Sequence, residues 1–510
     1  MTGGSGGAPH WADAAADAAI ASGRPAVVSS GISPSGKIHI GNMREVLTAD
    51  AVYRALKDHG VPARFNYIAD NLDPLRHVYP FLDAATYAPL VGKPLAAIPC
   101  PCGAHASYAE HFLEPFLDSL SQLRVEVEVE RADRMYASGR MNKVIVEALL
   151  GRDRIASILA EATGKTVDAA WSPFNPLCPA CGKITDAAVT GFSAAEETVG
   201  YACRCGSAGT MPMAGGGKLT WRVDWPARWA MLGVTVEPFG KDHATRGGSY
   251  DTGVRISREV FGYEPPLPIA YEWISLKGQG DMSSSKGNVL SIEEALDLVP
   301  PEVLRYLVMR ERPQRTIVFD PGLPLLKLVD EVDDKTAGGA DSRALALSRA
   351  AGFAPSGVPF RHLVVAAQVA RFDLEGTLAV LARTGYAGLD REAVGARLGF
   401  ARRWLDRHAP EDLRFEVTPD VPPAAAGLGE GQKAFLTRLS RDLTKGMTGE
   451  EVHLLVYELA KAFPEEKPAQ LFQAIYVALL GKPKGPRAGT FIAALGPEFC
   501  AARFAEAAAL

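Results

Sequence analysis

SGISPSGKIHIGN, residues 30–42, joins the end of a strand to the start of a helix. Before it, PAVVSSGI (25–32) reads as a buried strand carried by Ala26, Val27 and Val28. Ser33, Pro34, Ser35 and Gly36 then supply a turn. A helix is predicted from about Gly41 to Lys57, with Val46, Tyr53 and Leu56 on its apolar face and Gly60 as its C-cap. ARFNYIAD (63–70) reads as the next strand. Strand, turn, helix, strand is the first half of a doubly wound α/β domain. Within the stretch, Gly31, Gly36 and Gly41 let a ligand approach the backbone. The free amides and dipole of the helix N-terminus favour an anion. His39 and Asn42 add side-chain donors aimed at a phosphate.

Outward from there the pattern changes. Residues 92–220 interrupt the α/β order with several helices, Gly-rich loops and six of the seven cysteines, and read as an insertion. The pattern returns at GVTVEPFGKDH (233–243), where Val234 and Val236 alternate as in a strand, and at LPIAYEWISL (267–276). Ser291 and Glu294 form a capping box that starts a helix. From about 346 to 510 helical periodicity dominates, as in EEVHLLVYELAKAF and PAQLFQAIYVALLG. Residues 10–21 are Ala-rich and predicted helical.

Composition sets limits. A 510-residue chain has room for several domains, and 47% hydrophobic with 22% charged residues is ordinary for a globular protein. A net charge of −5 announces no nucleic-acid partner, so phosphate recognition has to be local. No apolar run reaches the roughly 18 residues of a membrane span, and MTGGSGGAPHW is unlike a secretory signal, so a cytoplasmic location is expected.

A second motif, GDMSSSKGN (280–288), joins Gly-rich flanks and three serines to Lys286. Such a loop can close over a triphosphate, its lysine neutralising charge on leaving pyrophosphate. Alone it would read as a solvated linker.

Cys178-Pro-Ala-Cys181-Gly and Cys203-Arg-Cys205-Gly are two knuckles with twenty-one residues between them. Four thiolates suit a closed tetrahedral zinc site, hence a structural one. Cys100, Cys102, His105 and His111 form a second candidate ligand set, weighed against a polar turn with satisfied histidines.

Taken together, SGISPSGKIHIGN and MSSSKGN resemble the two signatures of class I aminoacyl-tRNA synthetases, the second in its lysyl-type form. SYAEHF (107–112), TWRVDWPARW (220–229), EPFGKDH (237–243) and LLGKPKGPRAG (479–489) agree, so the resemblance runs from about residue 24 to 505. It implies a Rossmann (HUP-like) catalytic domain over 24–290 with a zinc-binding insertion at about 92–220. An extension (1–23) precedes it. Connecting helices (291–345) and an all-α anticodon-binding domain (346–510) follow.

The implied activity is lysine–tRNA ligation, using ATP with Mg2+ to make lysyl-adenylate and then charging the 3′ end of tRNA(Lys), by a monomer without a membrane partner. It implies catalytic roles for His39, Asn42 and Lys286. ATP contacts are expected at Pro34, Gly36, His39, Gly41, Asn42, Asp242, Met282, Ser283, Ser284, Ser285 and Lys286. Lysine contacts are expected at Gly31, Ser33, Asp224, His243 and Tyr271, with Asp224, Asp70 and Glu272 as candidate carboxylates for the ammonium. His105 and His111 match metal ligands of the family; Cys102 does not. Two departures stand out. Asp281 replaces a common lysine, and YIADNLDPLRHV (67–78) matches the family's acidic strand end only loosely. The alternatives are a glutamate-charging sister enzyme, which would need a pocket arginine, and a non-catalytic tRNA-binding relative, which would be free to lose His39 or Lys286. Lys482, Lys484 and Arg487 lie in a Gly/Pro-rich turn that by itself reads as a solvated surface turn; the resemblance implies instead that the helical domain around it reads the anticodon.

Overall fold

The structure, a computed structural model, describes residues 9–164, 166–278, 280–282, 289–339, 342–350 and 354–510. The chain divides into two compact units. One is Met1–Leu296 with Leu304–Phe319 and Ser342–Ala351; the other is Asp297–Val303 with Asp320–Asp341 and Gly352–Leu510.

The first unit is built on a parallel sheet. Its strands are β1 (Ala26–Ile32), β2 (Ala63–Ala69), β3 (Glu128–Arg131), β4 (Val236–Gly240) and β5 (Leu267–Tyr271). Their spatial order is β5-β4-β1-β2-β3, every neighbour pair parallel. This is the doubly wound order, which reverses direction between β1 and β4. The helices that position the site are α1 (Trp11–Ala21), α2 (Ile40–Asp58), α3 (Tyr108–Gln122), α4 (Trp221–Leu232) and α5 (Ser249–Glu259). Apolar residues at helical spacing give α2 its buried side: Met43, Val46, Leu47, Ala51 and Ala55. Arg44 on the same helix is buried too, and its guanidinium donates to the carbonyls of Trp273, Arg312, Pro313 and Arg315. α2 is thereby tied to a small sheet of Ile274–Leu276, Gly280–Asp281 and Ile317–Phe319, which carries Met282 at its edge.

β1 and β2 pair over seven residues and β4 and β5 over five. β1 and β4 pair only at Val28 and Val236. Beyond that point the two strands part, and a crevice opens at their carboxyl ends, where ligands of such sheets bind.

The interruption predicted over 92–220 itself contains β3, a strand of the parallel sheet; after it, Tyr136, Met141, Ile145, Phe174, Leu219 and Val223 share one core cluster. The interruption also carries a three-stranded antiparallel sheet of Ala187–Ser193, Thr198–Cys203 and Ala208–Pro212.

The second unit is mostly helical. Helices such as Glu430–Asp442, Gly449–Lys461, Pro468–Leu480 and Pro497–Ala509 enclose Phe435, Leu436, Val452, Ile475, Phe491 and Phe504. Asp333 and Arg397 form a buried ion pair at 2.6 Å. The parallel α/β core with a largely helical remainder is the fold class expected from the sequence. Among the described residues, no helix is long and apolar enough to cross a membrane.

Candidate active site

The first motif is a helix cap. His39 is the N-cap of α2, and its Nδ1 accepts the Gly41 N–H at 3.1 Å. Asn42 Oδ1 accepts the His39 backbone N–H at 3.2 Å, completing a reciprocal capping box. These bonds fix which donors remain. Nδ1 is the acceptor, so the ring proton sits on Nε2. Burial lowers the His39 pKa to about 4, so near neutral pH the ring is an uncharged donor. The Asn42 amide keeps its N–H2. Both stand at a helix N-terminus, where the helix dipole favours an anion. Gly41 is required: a Cβ there would lie 2.8 Å from two atoms of the His39 ring, and Met282 Cε is also close, at 3.6 Å. The motif is strapped to the segment after the second one. Ile40 N–H donates to the Leu290 carbonyl at 3.1 Å, and Lys37 pairs with Glu294 at 2.8 Å. Ser291 and Glu294 cap the next helix reciprocally. Ser283, Ser284, Ser285 and Lys286 lie outside the described residues.

The crevice holds a cavity. β1 contributes Ser29 to Ile32, followed by Ser33; α4 contributes Trp225 and Arg228; β4 contributes Glu237 and Phe239. Gly31 permits the close β1–β2 approach, since a Cβ would lie 2.9 Å from the Ile68 carbonyl oxygen. His243, in the turn Lys241–Ala244, also lines the cavity, with its ring 5.5 Å from that of Trp225. Trp221 stacks on Trp225 at 5.3 Å, and Phe239 meets Trp225 edge-on at 5.3 Å. Asp242, in the same turn as His243, is exposed. Pro34 and Gly36 are buried in the turn after β1, which Tyr108 of α3 holds through a 2.7 Å bond to the Ser35 carbonyl.

The carboxylates are disposed differently from expectation. Asp224 does not line the cavity; fully buried, it is committed to Arg228, Lys218 and the Tyr136 hydroxyl. Asp70 reaches the cavity wall but is held by Lys218 at 2.7 Å and Arg228 at 3.1 Å. Asp73 also pairs with Lys218 and accepts the Ser33 hydroxyl at 2.6 Å. Glu272 pairs with Lys241 at 2.6 Å. Two acids that the sequence reading passed over face the cavity instead, and among the described residues neither has a cationic partner. Glu45 of α2 accepts the Gly31 N–H at 2.9 Å and the Tyr271 hydroxyl at 2.7 Å, and burial pushes its carboxyl up to about 7. Glu237 accepts indole N–H bonds from Trp225 and Trp229. An acid inside a helix or a strand carries no sequence signal of its own, which is why both escaped notice.

The cysteines assemble into two clusters, each with its ligand atoms within 4.8 Å of one another. In the first, Cys178 and Cys205 sulfurs lie 3.6 Å apart and Cys181 and Cys203 3.7 Å. A tetrahedron with metal–sulfur bonds of about 2.3 Å has edges of about 3.8 Å. Gly182 and Gly206, with φ of +70° and +91°, turn each knuckle. In the second, the six distances among Cys100 Sγ, Cys102 Sγ, His105 Nδ1 and His111 Nδ1 run from 3.2 to 3.5 Å. The six edges are nearly equal, as those of a tetrahedron around one centre are. Cys102 is thereby brought into the set.

Residues 9–346 match the family described as tRNA synthetases class I (K). The chain is 51% identical to the lysine–tRNA ligase of Methanosarcina barkeri, over 98% of this chain and 97% of that one. It is 52% identical to lysine–tRNA ligase 1 of Methanosarcina acetivorans, over 98% of both. With the lysine–tRNA ligase of Archaeoglobus fulgidus it shares 49% identity, over 98% of this chain and all of the relative.

Proposed function

Since the chain belongs to the class I (K) tRNA synthetase family, we propose that it activates lysine with ATP and transfers it to the 3′ end of tRNA(Lys). The observation that carries the choice of amino acid is the pair of cavity acids without cations. A glutamate-charging enzyme needs a free cation there, but Arg228 and Lys218 are already bound to Asp70, Asp73 and Asp224. Glu45, oriented by Gly31 and Tyr271, is the carboxylate for the lysine ammonium. The aromatic wall of Trp221, Trp225 and Phe239 packs the alkyl chain, and His243 closes its side. Asp224 is thereby reassigned from ligand contact to buried support of Arg228.

In the reaction, lysine's carboxylate attacks the α-phosphorus of ATP in line and pyrophosphate leaves; Mg2+ bound with ATP would neutralise charge on the phosphates. A terminal ribose hydroxyl of the tRNA then attacks the adenylate carbonyl. His39 Nε2–H and the Asn42 amide donate to phosphate oxygens at the head of α2, and Lys286 neutralises the departing end. Gly36, Pro34, Gly41, Asp242, Met282 and Ser283 to Ser285 complete the nucleotide site. Cys178, Cys181, Cys203 and Cys205 would hold one structural zinc, and Cys100, Cys102, His105 and His111 a second. The ions would fix two turns. The helical second unit reads the anticodon, with Lys482, Lys484 and Arg487 exposed on the turn before Ala488–Leu495. The reading includes a monomer working in the cytoplasm.

Equilibrium binding of lysine to Glu45→Gln tests the pocket. Removing one member of a buried charge pair typically costs about 2–5 kcal/mol, so affinity should fall at least about 30-fold. Unchanged affinity would remove Glu45 from the pocket reading.

A further inference from the structure

We infer that Glu237 is a second carboxylate of the ammonium subsite, acting with Glu45 on the substrate's side-chain cation and setting selectivity against neutral side chains of the same shape. The inference rests on the lysine reading above.

Glu237 stands on β4 where β4 has parted from β1, and it lines the same cavity as Glu45. Its carboxylate is buried, and both oxygens accept hydrogen bonds from neutral donors, Trp225 at 2.7 Å and Trp229 at 2.5 Å. Among the described residues no cation pairs with it; the nearby Arg228 is engaged by Asp70 and Asp224. A buried carboxylate without a counter-charge is costly and normally has a partner. Burial first, and then the neighbouring Glu45, push its pKa up to about 8. Both acids line one cavity, so a cation bound there offsets the charge of each. The indoles that bind Glu237 also belong to the aromatic wall, and ring faces attract an ammonium as well. Glu237 thus couples the charge of the subsite to the shape of its wall. A neutral side chain of equal length fills the wall but leaves both acids uncompensated.

The test compares equilibrium binding of lysine and of 6-hydroxynorleucine, in which a hydroxyl replaces the ε-ammonium, to the full zinc-loaded chain. In Glu237→Gln the preference for lysine should fall at least 10-fold, with 6-hydroxynorleucine bound as well as before or better. Equal losses for both ligands would mean that Glu237 only pins the two indoles, and would overturn the inference; an unchanged preference would overturn it too. Should Glu237→Gln fail to fold, Glu237→Asp reads the same ratio: a fall of 3-fold or more supports the inference and no change refutes it. Glu45→Gln is the reference. If it collapses the preference and the Glu237 variants do not, only this inference fails. If neither site matters, the lysine pocket reading itself fails.

Discussion

At the scale of single residues, burial holds a proton on Glu45 up to about pH 7, well above a solvated glutamate. An ammonium pairs with the ionised form, so lysine affinity should rise with pH through about 7, where Glu45 ionises, and on to about 8, where Glu237 does, then level off. The same shift acts on stability. Between the ordinary glutamate range and about pH 7 the folded chain binds more protons than the unfolded one, so the ligand-free fold loses stability there as pH rises. Bound lysine offsets that loss. Thermal unfolding should show lysine raising the melting temperature more at pH 8 than at pH 6, and equal shifts would exclude Glu45 from the subsite. His39→Ala removes a pre-aimed donor and should slow lysine-dependent adenylate formation about 10²–10³-fold without unfolding the chain. The place of His39 and Asn42 at the start of a helix was legible in the sequence because the two lie only three positions apart in one local turn. Glu45 was not, because its meaning depends on Tyr271, 226 residues away. The surroundings of Asp224 were hidden for the same reason: Lys218 and Arg228 close a buried charge cluster with Asp70 that spacing along the chain does not reveal.

At the scale of elements, α2 shows how tightly the cap is built. Gly41→Ala is favourable for helix propensity but drives a methyl into the His39 ring. Activity should fall at least 10-fold while the melting temperature moves little; a fully active variant would mean that the ring position is unimportant. The knuckles were also legible, since C-x-x-C and C-x-C spacings bring sulfurs together within a single turn. The second cluster depended on more, because His111 joins only through the first turn of α3, capped by Ser107. Cys203→Ser should lower bound zinc by one ion per chain in metal analysis and destabilise the fold. Unchanged zinc content would contradict a metal centre at Cys178, Cys181, Cys203 and Cys205. The crevice between β1 and β4 was legible only as a fold-level expectation. Which side chains line it follows from where the strands part, a fact of register.

At the scale of the whole molecule, a chain of net charge −5 has to bind a polyanion through local features. The combined Lys482→Ala, Lys484→Ala and Arg487→Ala variant should weaken tRNA binding and reduce its salt dependence by about one unit of slope per lost phosphate contact, leaving lysine affinity intact. Unaltered tRNA affinity would move the contact elsewhere in the helical unit. The central claim is that the two cavity acids and the α2 cap serve lysine and no other amino acid. Charging of total tRNA by the zinc-loaded full-length chain, measured with each standard amino acid in turn, tests it most directly. The expected result is ATP-dependent charging with lysine alone. Charging with glutamate would contradict the pocket assignment, and charging with no amino acid by the folded protein would contradict the enzyme.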